Sequence, residues 1–316
     1  MQVLIDYTTV FTYTTPVWES QNVVRACPVD EPGQRRLWYR LELDPPARVA
    51  SHVDAWGTWV DAFGVREPHS SLSVAARSAV ETSPRPRPIE VPVSVLDDRY
   101  RVDNWMFLRP TAHTRWTGDL AARAATALTG GLVESVLGIQ DMVRRQVVYT
   151  PGSTHVGIDV NRVWDEGAGV CQDFAHLAIA MLRSQGIACR YVSGYLYAAD
   201  PAHPDASSGP IDTQTHAWVE VLVPEWGWWA IDPTNGIDVG ERHVVIGRGR
   251  DVDFRIDDPG VSRQHAAVFW ANDKLMVEDL GSTNGTMVNG YPVTKTVLGP
   301  RDVIVIGERR ITVETK

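Results

Sequence analysis

Apolar and polar positions alternate with a short period through the first eighty residues. Val3–Thr15 is dense in β-branched and aromatic residues, as are Trp38–Leu43 and Ser71–Val80, with Pro and Gly turns between them. Short strands are expected at all three. The stretch Thr82-Ser-Pro-Arg-Pro-Arg-Pro-Ile-Glu-Val-Pro92 then reads as an extended connector, because alternating prolines favour polyproline geometry. The pattern next turns helical. Helices are expected over Gly118–Leu128, stopped by Gly130-Gly131, and over Leu132–Val148, ended by Pro151. The clearest helix begins near Cys171, where Phe174, Leu177, Ala178, Met181 and Leu182 fall on one face and Gly186 closes the run. Strands follow at Arg190–Tyr197, His216–Val223 and Gly227–Asp232, with a polar loop over Asp200–Gln214. From His243 onward short apolar runs joined by Gly, Asn and Asp turns carry no helical period, the pattern of a β-sandwich.

Length and charge sharpen this division. The 316 residues suffice for about two domains. Net charge is −9, with 30 Lys and Arg against 39 Asp and Glu. Residues 241–316 carry 11 of each sign, so the whole excess lies earlier, as do eleven of the twelve tryptophans. A nucleic-acid binder is disfavoured, because phosphate neutralisation needs clustered cations. No apolar run of 18 residues occurs, and the first ten residues carry Asp6 without a basic stretch before an apolar core, so neither membrane spanning nor secretion is expected. Three cysteines, Cys27, Cys171 and Cys189, are too few for a disulfide framework or a four-ligand zinc site. A cytoplasmic chain without cofactor or metal is expected.

One cysteine differs from the others. In Gly167-Ala-Gly-Val-Cys171-Gln-Asp the thiol follows a Gly-rich turn at the start of a helix, where free amides and the helix dipole favour an anion. A nucleophilic thiolate also needs a base, and the base an orienting group. His216 and Asp232 are the candidates. A hairpin turn centred on Pro224 would set them opposite one another on one face, where side chains approach to about 5 Å. Each of the three alone reads as an ordinary structural residue; their conjunction does not. Cys27 and Cys189 keep the structural reading, as does His176, which points to another side of the helix.

These residues lie in four ordered blocks: Gly169-Val-Cys171-Gln-Asp-Phe-Ala-His-Leu, Arg190-Tyr-Val-Ser-Gly-Tyr195, His216-Ala-Trp-Val-Glu220 and Asp232-Pro-Thr-Asn-Gly236. They resemble the bacterial transglutaminase-like core, and residues 1 to about 82 resemble the β-rich domain that precedes it. The resemblance implies a papain-like triad: Cys171 as nucleophile, His216 as base and Asp232 as its orienter. By the same analogy Gln172 joins backbone amides as an oxyanion donor. It implies cleavage or transfer of an amide bond of a protein or peptide substrate, with hydrolysis favoured over cross-linking. No acidic loop has calcium-ligand spacing. A non-catalytic adaptor with an idle core is the alternative.

After residue 240 the blocks Ile246-Gly-Arg-Gly249, Val261-Ser-Arg-Gln-His265 and Asp279-Leu-Gly-Ser-Thr-Asn-Gly-Thr286 bring Arg, Ser and Thr onto loops, chemistry suited to a phosphate dianion. Asn289-Gly290 reads as a type I′ turn. The segment resembles a forkhead-associated (FHA) domain, a sandwich that binds phosphothreonine peptides. The resemblance carries Arg248, Ser262, Arg263 and Thr283 to the phosphate and Asn284 to the peptide backbone. Gly247 and His265 are then structural, and Gly260 supplies no side chain for selecting a residue beyond the phosphothreonine. Only residues 237–245 separate this similarity from the core, and they also resemble the core's own continuation, so the sandwich lacks its first strand, borrows one, or follows an unusual or engineered join. The expected architecture is α+β: a β-rich N-terminal domain over 1–85, a papain-like core over 86–240 and an all-β sandwich over 241–316, docking to a phosphothreonine-containing partner.

Overall fold

The computed structural model describes residues 1–154, 158–197, 215–249, 266–271, 274–279, 282, 285–306 and 309–312. The expected loop at 200–214 falls outside them. Two compact units divide the chain, Met1–Asp251 and Val252–Lys316.

The first unit opens with six strands in two three-stranded antiparallel sheets. β1 (Gln2–Val17) and β3 (Gln34–Asp44) flank the long β6 (His69–Thr82), while β2 (Ser20–Val24) and β4 (Val49–Val53) flank β5 (Trp59–Val65). Along most of β1 partly buried and exposed residues alternate, as the period of two requires. Phe63, Val65, Leu72 and Val74 form the core beneath. Residues 84–91 carry no helix or strand, which agrees with their prolines.

Five helices follow: α1 (Asp98–Asp103), α2 (Gly118–Ala125), α3 (Leu132–Gln146), α4 (Val160–Glu166) and α5 (Cys171–Ser184). A short parallel pair, β7 (Val148–Tyr149) and β8 (Ala168–Gly169), leads into α5. The sequence predicts one apolar face on α5, but every residue from Asp173 to Arg183 is buried. The cause is the number of neighbours: α2, α3, α4 and two sheet strands all pack on it. Ala175, Ala178 and Ala180 keep its girth small enough for that enclosure. Gly186, at φ +75°, ends it in the left-handed conformation.

The sheet against α5 is antiparallel, in the order β12 (Ile237–Asp238), β11 (Gly227–Asp232), β10 (Thr215–Val223), β9 (Cys189–Leu196), β13 (His243–Gly249). In the β10–β11 hairpin Val219 faces Ile231 and Val223 faces Gly227. The turn is therefore centred on Glu225, whose φ is +63°, not on Pro224. Moving the centre by one residue slides the register by two, which keeps every side chain on its face. His216 and Asp232 are not directly opposed, yet they still share a face.

β13 is the last strand of this sheet, and it contains the block Ile246-Gly-Arg-Gly249. Val244, Val245 and Ile246 are buried. Gln34 clamps Val245 by accepting its N–H (2.7 Å) and donating to its carbonyl (2.8 Å). Val29 N–H donates to the same carbonyl. Gly194 on β9 is required for this approach, since a Cβ there would lie 2.0 Å from the Val244 carbonyl oxygen and 2.5 Å from the Trp218 ring. The compact unit ends after β13, at Asp251, while the sequence places the join at 240/241.

The second unit holds two antiparallel sheets. One runs β14 (Ala266–Ala271), β15 (Lys274–Asp279), β18 (Lys295–Val297); the other runs β17 (Tyr291–Val293), β16 (Thr286–Val288), β19 (Val303–Ile306), β20 (Arg309–Thr312). Val277, Val288, Leu298, Ile304 and Ile306 fill the space between them. Asn289 and Gly290, both at positive φ, make the β16–β17 turn that the Asn-Gly pair predicts.

Candidate active site

The site is assembled at the start of α5 and the ends of β10, β11 and β13. Cys171 is the first residue of α5 and is half-buried. The turn before it is fixed by Asp173, whose Oδ2 accepts the Val170 N–H (2.8 Å) and the Thr154 hydroxyl (2.5 Å). Gly169 leaves room for that carboxylate, since a Cβ there would lie 2.8 Å from the Asp173 Cβ. Cys171 thus stands at the N-terminal end of α5, where the first backbone N–H groups lack helical partners.

His216 projects from β10 with Nε2 2.8 Å from Asp232 Oδ2, and the Cys171 Sγ lies 4.0 Å from the carbonyl oxygen of the neighbouring Thr215. Burial alone would lower its proton affinity. The hydrogen bonds to Asp232 and Cys171 outweigh burial and raise the pKa to about 9. Asp232, at the end of β11, is fully buried. Burial pushes its carboxyl up, but donors from His216, His243 and Asn235 hold it well below the usual carboxylate range. Its Oδ1 accepts the Thr234 and Asn235 N–H groups (3.0 and 3.2 Å), and Oδ2 accepts the Asn235 side chain at 2.7 Å. A thiol, an imidazole holding a proton at neutral pH and an ionised carboxylate therefore stand in line. Gln172, second in α5, is half-buried, with its backbone at the same helix end.

Two residues in this cluster have no role in the sequence reading: Asn235 and His243. His243 opens β13, is buried, and places Nε2 3.2 Å from Asp232 Oδ2. The sequence holds a signal for each, the Asn after Asp-Pro-Thr and a histidine at the start of the next long strand. His216, Asp232 and His243 bring their ligand atoms within 4.8 Å of one another, the only such trio among the described residues. The three are donors and acceptor to each other, however, because the Gly240 N–H points at Nδ1 of His243 and leaves its Nε2 proton for Asp232. That arrangement is a hydrogen-bond chain, not a convergent ligand set.

The other cysteines are remote from such chemistry. Cys27 is buried, which pushes its thiol up to about 11, and Cys189 is fully buried between α5 and β9. His176, inside α5, stacks on His113 with ring centres 5.4 Å apart.

Of the residues assigned to phosphate, only Arg248 is described; Ser262, Arg263, Thr283, Asn284 and His265 lie outside the described residues. Arg248 sits near the end of β13 inside the first unit. Its Nε and Nη2 donate to Glu220 (2.7 Å each), Nη2 also meets Glu31, and its backbone exchanges hydrogen bonds with the Thr58 hydroxyl. Glu220 is 2% exposed and also accepts Arg190, which stacks over Trp228. Burial raises the Glu220 carboxyl, and Arg248 and then Arg190 more than offset it. Gly247 is a strand residue here; a Cβ on it would lie 2.5 Å from the Thr58 methyl group.

Comparisons with known proteins match three stretches of the chain. Residues 3–81 match the bacterial transglutaminase-like N-terminal region, 118–233 the transglutaminase-like superfamily and 244–307 the FHA domain. An uncharacterized protein of Mycobacterium leprae is 34% identical over 250 residues, covering 78% of this chain and 88% of that one. A protein-glutamine gamma-glutamyltransferase of Pseudomonas aeruginosa is 30% identical over 207 residues, covering 57% of this chain and 30% of its own. The crystal structure of a candidate cysteine protease from Cytophaga hutchinsonii, 25% identical, superposes with a TM-score of 0.63 over 79% of this chain and 82% of that one.

Proposed function

Because the chain belongs to the bacterial transglutaminase-like family and carries an FHA segment, we propose that it is a cysteine-dependent amide hydrolase docked to phosphothreonine-containing partners. The observation that carries the reading is the line from Cys171 through His216 to Asp232, with a 2.8 Å bond at its buried end. In the proposed reaction the Cys171 thiolate attacks an amide carbonyl, and the new oxyanion is met by helix-end amides and Gln172. As the C–N bond breaks, protonated His216 gives its proton to the leaving amine. Water then attacks the thioester, His216 takes its proton, and the carboxylic acid leaves as Cys171 is restored. Replacing water by an amine would give transfer, the reaction named for the Pseudomonas relative; of the two acceptors we favour water.

Iodoacetamide tests the activated thiol. Cys171 should react at least tenfold faster than Cys27 or Cys189 near neutral pH, read by mass spectrometry; equal rates would sink the reading. An electrophilic amide probe should label the protein and fail to label Cys171→Ala. A phosphopeptide binder that no such probe labels would instead be an adaptor with an idle core.

For the docking segment, we propose that Ser262, Arg263, Thr283 and Arg248 take the phosphate and Asn284 the peptide backbone. Arg248 can join only after exchanging Glu220 and Glu31 for the phosphate. Phosphothreonine peptides should bind where unphosphorylated ones do not, and Arg263→Ala and Arg248→Ala should each erase the difference. Binding that survives Arg248→Ala would assign that residue to the core alone.

A further inference from the structure

Asp232 is unusual in how many donors it receives. Three converge on Oδ2, from His216, His243 and Asn235, and two backbone N–H groups take Oδ1. The backbone groups and Asn235 all lie within three residues of Asp232 and would restrain it in any form of the loop. His243 comes from another strand, eleven positions away, on the far side of β9 from β10. It is held there from three directions: the Gly240 N–H at Nδ1, the Trp218 ring edge-on at 5.3 Å, and the pairing of its backbone with Leu196 on β9. Among the described residues the titratable groups facing it are Asp232 and His216, the latter with ring centres 6.2 Å apart.

We propose that His243 is a positioning residue of the Cys171–His216–Asp232 site, a neutral donor that shares Asp232 Oδ2 with His216 and thereby limits how tightly Asp232 holds the His216 proton. The proposal rests on the triad reading above. Its physical basis is competition. A hydrogen bond to a carboxylate stabilises the anion and weakens it as an acceptor for any other donor. With His243 in place, the His216 imidazolium stays protonated at neutral pH yet can release its proton to a leaving amine. Without it, the same carboxylate would bind that proton more tightly. The Gly240 contact matters because it fixes the tautomer: an Nδ1 that accepts leaves Nε2 as the donor.

The test uses the full chain and reads the His216 midpoint from ring ¹⁵N shifts across pH, together with the pH dependence of Cys171 alkylation. His243→Phe, close to isosteric and without a donor, should raise the His216 midpoint from about 9 by roughly half a unit to one unit and carry the upper limb of the Cys171 alkylation profile to higher pH by the same amount. His243→Gln, which restores an N–H near the same point, should return both toward wild type. A purely structural role predicts the opposite sign, because a loosened Asp232 would let the midpoint fall toward 6.5; that fall, or no change, overturns the proposal. Val245→Ala supplies the control: it loosens the same strand, and should lower the melting temperature without moving the midpoint. If His243→Phe does not fold, the wild-type ring spectrum still decides, since a proton on His243 Nδ1 would contradict the Gly240 contact and overturn the proposal. These readouts need no substrate, so a wild-type chain that cleaves no amide would count against the proposed function and leave this inference standing or falling on its own.

Discussion

The papain-like core and the sandwich differ in how their sequence likeness maps onto compact structure. The core's match, residues 118–233, lies wholly inside one unit, and three of its blocks supply Cys171, His216 and Asp232. The sandwich's match begins at residue 244, but its compact unit begins at Val252, because β13 is built into the core sheet. What separates them is which surface buries the strand. Val244, Val245 and Ile246 each remove most of their apolar area from water, worth about 1.5–3 kcal/mol apiece. Gln34, Thr58, Glu220 and Glu31 satisfy the strand's polar groups on that side. A strand belongs to whatever pairs and covers it, and a family boundary drawn on sequence need not fall where the packing does.

The largest effect should come from removing the strand. A chain ending at residue 251 should unfold cooperatively, whereas one ending at 242 should show no cooperative transition by circular dichroism; equal behaviour would return β13 to the sandwich. Next, Glu220→Ala leaves Arg190 and Arg248 buried without their shared acceptor, and should destabilise the first unit by about 3 kcal/mol, read by denaturant unfolding followed at its tryptophans. Loss of only a few tenths would mean that Arg248 finds another anion. In the second unit, Val277→Ala should cost about 1–2 kcal/mol while leaving the Cys171 alkylation rate untouched. A change in that rate would show the two units to be coupled.

The last expected effect is on pH. His216 has a raised pKa in the folded protein, so folding binds a proton more tightly than the unfolded chain does. Its contribution is complete below about 6.5, the unfolded value, and is lost as pH rises through about 9. The melting temperature should therefore fall across that window, and His216→Gln should flatten the fall. Asp232, with its lowered pKa, works oppositely: its stabilisation is present above about 4 and disappears in acid.

Much of the site was legible from residue order. A glycine-rich turn before Cys171 marks the helix start, and a strand histidine and a strand-end aspartate sit where a two-strand hairpin can bring them together. The hairpin register was not legible, because Glu225 adopts a left-handed conformation that nothing local announces. The parity of the pleat protected the conclusion from that error. Asn235 and His243 escaped for different reasons: the first because a turn asparagine has many ordinary uses, the second because β9 and β10 lie between its strand and that of its partner.

The sequence by itself determined the three-part order, the helix that carries Cys171, the strands that carry His216 and Asp232, and the Asn289-Gly290 turn, since each follows from short-range periodicity and turn chemistry. Tertiary structure alone decided that α5 is enclosed on all sides, that His243 closes on Asp232, and that Arg248 lies between Glu220 and Glu31. Those outcomes depend on which strand pairs with which. Glu31 and Arg248 are 217 residues apart, so their contact exists only once the sheet has brought them together.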